Sequence, residues 1–221
     1  MFTIYKLCNS NFHFYPTHTS VYLPPHTPHP IYMNKITITG DLGSGKSVVS
    51  KLLCAATGFA YVSTGQIQRQ LAHEMGLDTL EMNRRADTDP SIDERIDGIF
   101  VDLGHDPNGY VVDSRLAWFF LPMSVKIYLQ TDPAESARRI LHDPTRKSET
   151  YETAEEALAK LQARKQSENE RFWIKYGADC TNLQLFDLVV DTTHRTPGQV
   201  AALILHAKRI KETGGWFGRY W

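Results

Sequence analysis

The sequence predicts an α/β fold in which a parallel sheet carries helices on both faces. Two observations predict it. Short apolar runs alternate with longer helix-like runs from Lys35 onward, and strands separated by helices pair in parallel through crossovers. The 221-residue chain is 42% hydrophobic and 22% charged, the balance of one ordinary globular domain with room for a small mobile subdomain.

The elements follow in order. "KITIT" (35–39) reads as a short buried strand, followed by a glycine-rich loop and a helix over Lys46 to Thr57. "FAYVS" (59–63) is a second strand, with helical runs to about His105 and Asp-Pro at 89–90 as punctuation. "GYVVD" (109–113) and "VKIYL" (125–129) are the third and fourth strands. A helix from Pro133 to Leu141 has proline in its first turn, where helix starts favour it. A long charged helix over Ala154 to Tyr176, a strand in "FDLVVDT" (186–192) and a helix over Pro197 to Glu212 complete the body.

The two ends differ from the body. Residues 1–34 hold one charged residue, Lys6, with four of the nine histidines and five of the eleven prolines. His13, His18, His26 and His29 match no ligand spacing, so a disordered extension over 1–33 is expected rather than a metal site. The aromatic end, "GGWFGRYW", is set apart as a tail over 213–221.

Bulk properties exclude several classes. A net charge of −1 leaves no basic footprint for long nucleic acid. Cys8, Cys54 and Cys180 are widely spaced, without a CxxC pair, and read as free thiols in a reducing cytosol. No apolar run reaches the roughly 18 residues of a membrane span, and no basic cluster precedes an apolar core at the N-terminus. A cytoplasmic monomer acting on small molecules is expected.

The stretch "TITGDLGSGKSVVSKLL" (37–53) carries the chemistry. Gly40, Gly45, Lys46 and Ser47 satisfy G-x-x-x-x-G-K-[ST] between a strand and a helix, the context the motif requires. Glycines let the backbone curl so that N–H groups from Gly40, Asp41, Leu42, Gly43, Ser44, Gly45, Lys46, Ser47 and Val48 can surround phosphate oxygens. The helix N-terminus adds its partial positive charge. Lys46 is expected to reach the β- and γ-phosphates of ATP, and the Ser47 hydroxyl to ligate Mg²⁺. No N-K-x-D base-reading motif and no coupling domain accompany the loop, which disfavours a switch or a motor.

Candidate acceptor residues gather at the same sheet edge. Ser63 and Thr64 end the second strand, and Arg69 falls on the first turns of the next helix, facing the crevice where α/β ligands bind. Asp113 and Arg115 follow the third strand. Three apolar residues and then an acid is the pattern of a carboxylate that holds Mg²⁺, and Arg69 with Arg115 would grip an acceptor phosphate. In "ARKQSENERFW" (163–173), Arg164, Glu168 and Arg171 share a helix face. That face suits a lid whose arginines neutralise charge as a phosphoryl group moves, with Arg138 and Arg139 at its base. The residues alone leave open the acceptor, which can be a nucleotide, dephospho-coenzyme A or a phosphorylated sugar or acid. They also leave open a regulatory protein that keeps the loop without transfer.

Taken together, Gly40 to Ser47, "STGxxxR" ending at Arg69, "DSRLA" (113–117), R-x-x-x-E-x-x-R (164–171) and "DLVVDTT" (187–193) resemble the cytidylate kinases, nearer the compact archaeal type. The resemblance covers about residues 34–208. It implies a nucleoside-monophosphate-kinase domain over 34–212, with strand order 2-3-1-4-5, a nucleotide-monophosphate arm over about 64–108 and a lid over about 142–172. It also implies transfer from ATP to CMP or dCMP with Mg²⁺. Arg69 and Arg115 match the family's acceptor-phosphate arginines, and Arg164, Glu168 and Arg171 its lid set. The chain departs from the bacterial type in three ways: Leu116 stands where that type has a CMP-holding aspartate, the arm is about half as long, and the lid acid is Glu168 rather than aspartate.

Overall fold

A computed structural model describes residues 33–77, 81–82, 85, 89–142 and 152–215. The expected extension up to residue 32, residues 143–151 of the expected lid and aromatic residues 216–221 lie outside the described residues. Five parallel strands, β1 (Lys35–Gly40), β2 (Ala60–Ser63), β3 (Tyr110–Asp113), β4 (Val125–Gln130) and β5 (Leu188–Asp191), form one sheet in the order 2-3-1-4-5. This is the order that the resemblance implies. Among the described residues no helix is long and apolar enough to cross a membrane.

The central strand β1 is buried throughout. Its alternation sorts side chains between two layers. Ile36 and Ile38 join Leu53, Ile127, Leu188 and Ile204 in a core beneath helices α1 (Lys46–Thr57) and α7 (Pro197–Glu212). Thr37 and Thr39 face the other layer, where a buried hydroxyl needs a partner. Thr37 Oγ1 lies 3.1 Å from Ser124 Oγ, and Thr39 Oγ1 donates to the Ser114 carbonyl at 2.9 Å. On that side α2 (Thr64–Glu74), α3 (Pro90–His105) and α4 (Ala117–Phe120) pack Ile67, Leu71, Ile92 and Phe100 against Val112. Further along, Leu116, Trp118, Tyr128, Phe172 and Phe186 form an aromatic core beneath α6 (Ala154–Tyr176).

Local chemistry fixes where helices begin. Ser63 and Gln66 form a reciprocal capping box at α2, as Thr196 and Gln199 do at α7. Asp132 caps α5 (Pro133–Leu141) by accepting from the amides of Ala134 and Glu135, with Pro133 in the first turn. The four-residue α4 and the 3₁₀ turn Leu183–Leu185 were not expected, because neither spans enough residues to show a period.

Because β1 is flanked by β3 and β4, the loop after it sits where the strand order reverses, at the carboxyl edge of the sheet. The ends of β2 and β3 reach the same edge, with Ser63 and Asp113 in register.

Burial separates two adjacent leucines of α1: Leu53 is fully buried and Leu52 is 40% exposed. Leu53→Ala is expected to lower unfolding free energy by about 2–5 kcal/mol through transfer and cavity terms. Leu52→Ala should stay within about 0.5 kcal/mol. Urea titration of both variants checks this through the midpoint at constant slope.

Candidate active site

The phosphate loop starts at a position that only glycine can fill. Gly40 has φ 139, and a Cβ there would run into the Leu129 carbonyl of β4. The next amide, Asp41 N, donates to that same carbonyl at 2.9 Å. Ser44, almost fully buried, folds back to donate its hydroxyl to the Asp41 carbonyl at 2.8 Å. No side chain caps α1 at Gly45, so its first N–H groups are left to an anion. Lys46 Nζ donates to the carbonyls of Gly40 (3.0 Å) and Asp41 (2.6 Å), which holds the ammonium inside the curl.

The outer wall of the loop is braced by α5 and α6. Leu42 packs beside Ala137, Ile140, Ala157 and Leu161, and the Ser136 hydroxyl donates to the Leu42 carbonyl. Arg139 spreads its guanidinium over Glu135 and the carbonyls of Gly43, Thr192 and Thr193. It therefore clamps the phosphate loop to the turn after β5. Arg138 and Arg139 together hold the Glu135 carboxyl down at about 2, well below the usual carboxylate range. Beside this clamp, a cavity of about 560 Å³ is lined by Asp132, Glu135, Arg138, Asp191, Thr193 and His194.

Ser47 and Asp113 meet. The Ser47 hydroxyl donates to Asp113 Oδ2 at 2.8 Å, and the Tyr61 hydroxyl donates to the same oxygen at 3.1 Å. Burial, then the Asp113 charge, raises the Tyr61 pKa, so its hydroxyl stays protonated. A hydroxyl and a single carboxylate beside a phosphate loop form the hard-oxygen set that Mg²⁺ takes alongside substrate phosphates, so the residues present fit that ion. Tyr61 was missed by sequence reasoning. The signal for it was the strand period, which puts residues 61 and 63 on one side of β2.

At the end of β2, Ser63 spends its hydroxyl on the helix cap, accepting from Gln66 N at 3.2 Å. The Thr64 hydroxyl is buried without a hydrogen-bond partner. Arg69 is exposed and forms no ion pair among the described residues. Its Nη1 lies 3.4 Å from where a Cβ on Gly65 would stand, so the side chain folds back toward the helix start at the sheet edge.

Arg115 is mostly buried, and its backbone carbonyl is fixed by the Trp118 indole N–H at 3.0 Å. Its Nε lies 2.7 Å from Glu168 Oε2, close enough for charge attraction but not aligned as a hydrogen bond. Arg115 Nη2 is buried without a partner. Arg164 Nε donates to Glu168 Oε1 at 2.8 Å. The structure therefore gathers Arg115, Glu168 and Arg164 into one cluster. Arg171 lies outside it, exposed, with its guanidinium 5.4 Å from the Phe172 ring centre. Val48 is also exposed, at 53%.

The body-facing stripe of α6 explains this division. Its buried residues Ala157, Leu161 and Phe172 define a row that passes through Lys165 and Glu168. Arg164 and Arg171 stand at its edge. Lys165, on the row, reaches Asp41 Oδ1 at 2.6 Å, a contact that the 164/168/171 pattern did not reveal. Leu116 is a core residue, packed with Trp118, Tyr128 and Phe172.

A family model described as an AAA domain matches residues 36–171. The cytidylate kinase of Sulfolobus acidocaldarius is 36% identical over 173 residues, covering 77% of this chain and 92% of the relative. That of Ignicoccus hospitalis is 37% identical over 174 residues, covering 78% and 97%. The Haloarcula marismortui cytidylate kinase is 34% identical over 174 residues, covering 78% and 88%. Among solved structures, an uncharacterized protein from Eubacterium ventriosum superposes with a TM-score of 0.60 at 14% identity, over 78% of this chain and 96% of its own. Shikimate kinase from Aquifex aeolicus does so at 0.54 and 15%, over 82% and 99%. The two superpositions speak for the fold alone. Sequence likeness across nearly the whole length of the relatives, on a sheet of this order with this loop, goes further: the chain belongs to the cytidylate kinase family of P-loop nucleoside monophosphate kinases.

Proposed function

We propose that the chain phosphorylates CMP or dCMP with ATP, giving CDP or dCDP and ADP by direct phosphoryl transfer. The observation that carries the reading is that donor and acceptor features meet at one sheet edge. The phosphate loop lies at the end of β1, Asp113 and Arg115 at the end of β3, and α6 brings Glu168 onto Arg115. The widely spaced cysteines support a reducing, cytoplasmic setting.

In this reading the N–H groups of residues 40–48 and the ammonium of Lys46 hold the donor phosphates. The cavity beside Arg139 takes the rest of the donor nucleotide. Ser47 and Asp113 would hold Mg²⁺, with Tyr61 orienting the carboxylate. Bound there, Mg²⁺ supplies charge neutralisation across the phosphates. Arg115 and Arg69 grip the acceptor phosphate, with Ser63 and Thr64 at the mouth of the acceptor crevice; the unpartnered Nη2 of Arg115 and hydroxyl of Thr64 are donors ready for it. Glu168 orients Arg115, while Arg164 and Arg171 come from the lid to the migrating charge. The attacking phosphate oxygen is ionised at neutral pH, so alignment and charge neutralisation suffice without a strong general base. Closure keeps water from intercepting the phosphoryl group.

Three measurements test this reading. Release of ADP from Mg·ATP, followed in parallel with CMP, dCMP, UMP, AMP, GMP and dephospho-coenzyme A, should be well above the rest for CMP and dCMP. A dominant response to another acceptor would discard cytosine. Lys46→Ala should cut kcat at least about a hundredfold, by loss of a preorganised cation at the transferred group. Near-normal turnover would remove the loop from the mechanism. Arg115→Ala should raise the KM for CMP about tenfold or more, the value of charge-assisted hydrogen bonds to one phosphate, with little change for ATP. Equal losses for both substrates would move Arg115 out of the acceptor site.

A further inference from the structure

Asp41 is an odd residue to find in a loop that holds a polyanion. Its backbone belongs to the phosphate cradle, yet its side chain adds a negative charge of the same sign as the ligand. The carboxylate is largely buried, 16% exposed, and receives three donors. Tyr128 Oη donates to Oδ1 at 3.2 Å, Thr131 N to Oδ2 at 3.2 Å, and Lys165 Nζ to Oδ1 at 2.6 Å. Tyr128 is a neutral donor, its hydroxyl kept protonated by burial and by the Asp41 charge. The Lys46 ammonium approaches Asp41 at its backbone carbonyl. Lys165 thus brings the cation that sits on the carboxylate itself, and it comes from a different part of the chain, the middle of α6.

The place of Lys165 along α6 matters. The apolar row Ala157, Leu161 and Phe172 docks the helix on the body, and the row turns charged only where it crosses the site. There, Lys165 meets Asp41 on the donor side and Glu168 meets Arg115 on the acceptor side. With the helix docked, the loop's own acid is neutralised. With the helix withdrawn, Tyr128 and Thr131 still donate to that acid but its cation is gone, and a negative charge in a partly buried loop opposes the binding of a polyanion there. Docking of α6 and retention of the donor are then linked, and each must favour the other by the same factor.

We propose that Asp41 and Lys165 form a donor-side latch: Lys165 is a positioning residue that neutralises the loop acid and so couples docking of the lid helix to ATP affinity. The proposal rests on the phosphoryl-transfer reading above. It differs from a lid lysine that binds the triphosphate directly in one respect: here the Lys165 charge is needed because Asp41 is there.

The test compares Lys165→Gln, Lys165→Arg, Asp41→Asn and the Asp41→Asn/Lys165→Gln double variant in the full chain. Mg·ATP affinity is measured by calorimetric titration, and KM for CMP and kcat by coupled assay. Lys165→Gln should weaken ATP binding on the order of tenfold, the usual size of such couplings, while the KM for CMP holds. Lys165→Arg should keep wild-type affinity. The double variant should recover most of the loss, since removing the acid removes the need for its partner. An unchanged affinity in Lys165→Gln, or a loss that Asp41→Asn leaves in place or deepens, overturns the latch. A wild-type chain that binds ATP but phosphorylates no nucleoside monophosphate would sink the kinase reading, and the same titrations would still decide the latch.

Discussion

At Gly40 the backbone leaves β1 with φ 139 and passes so close to the Leu129 carbonyl that no side chain fits between them. That close approach lets Asp41 N reach the same carbonyl and start the curl of the loop directly over β4. Everything at the site is placed relative to this turn. The buried threonines of β1 fix the strand from the other layer, through Ser114 and Ser124, and Ser114 belongs to the segment that carries Asp113 and Arg115. The strand that leads into the phosphate loop is therefore tied by its own side chains to the segment that carries Asp113 and Arg115. Relative movement of the two would break buried pairs, which is costly.

Arg139 extends the same rigidity outward. By donating to Gly43, Thr192 and Thr193, it joins the phosphate loop to the turn after β5, whose Thr193 and His194 line the neighbouring cavity. The site then has a stiff floor and a helix, α6, set across it. The contacts of α6 with the body are apolar at Ala157, Leu161 and Phe172 and ionic where it crosses the site. Ion pairs at a partly exposed seam contribute modestly and respond to competing charge.

Much of this was legible in the residues. Four helix spans were read correctly because their limits are punctuated: Gly45, Pro133 and Pro197 at starts, the glycines at 58 and 177 at ends. The loop and the meeting of Ser47 with Asp113 were legible because both stand at fixed offsets from strand ends. The phase of α6 was not. Its charged residues suggest the face of Arg164, Glu168 and Arg171, whereas its packing is set by Ala157, Leu161 and Phe172, a sparse row whose first member is only an alanine. Lys165 fell between the two readings. Ser63 is the opposite case, a residue read for both ligand binding and capping whose hydroxyl serves the cap here.

Leu116 carries a lesson about interchange between relatives. It stands where the bacterial type has an acid for its pyrimidine, yet here it is walled in by Trp118, Tyr128 and Phe172. An aspartate at this point would be a carboxylate sealed among rings, and such a group costs several kcal/mol unless a cation or several donors come with it. Base discrimination therefore cannot be transplanted into this scaffold one residue at a time. It has to be imported with its surroundings or evolved afresh from the rim of the crevice.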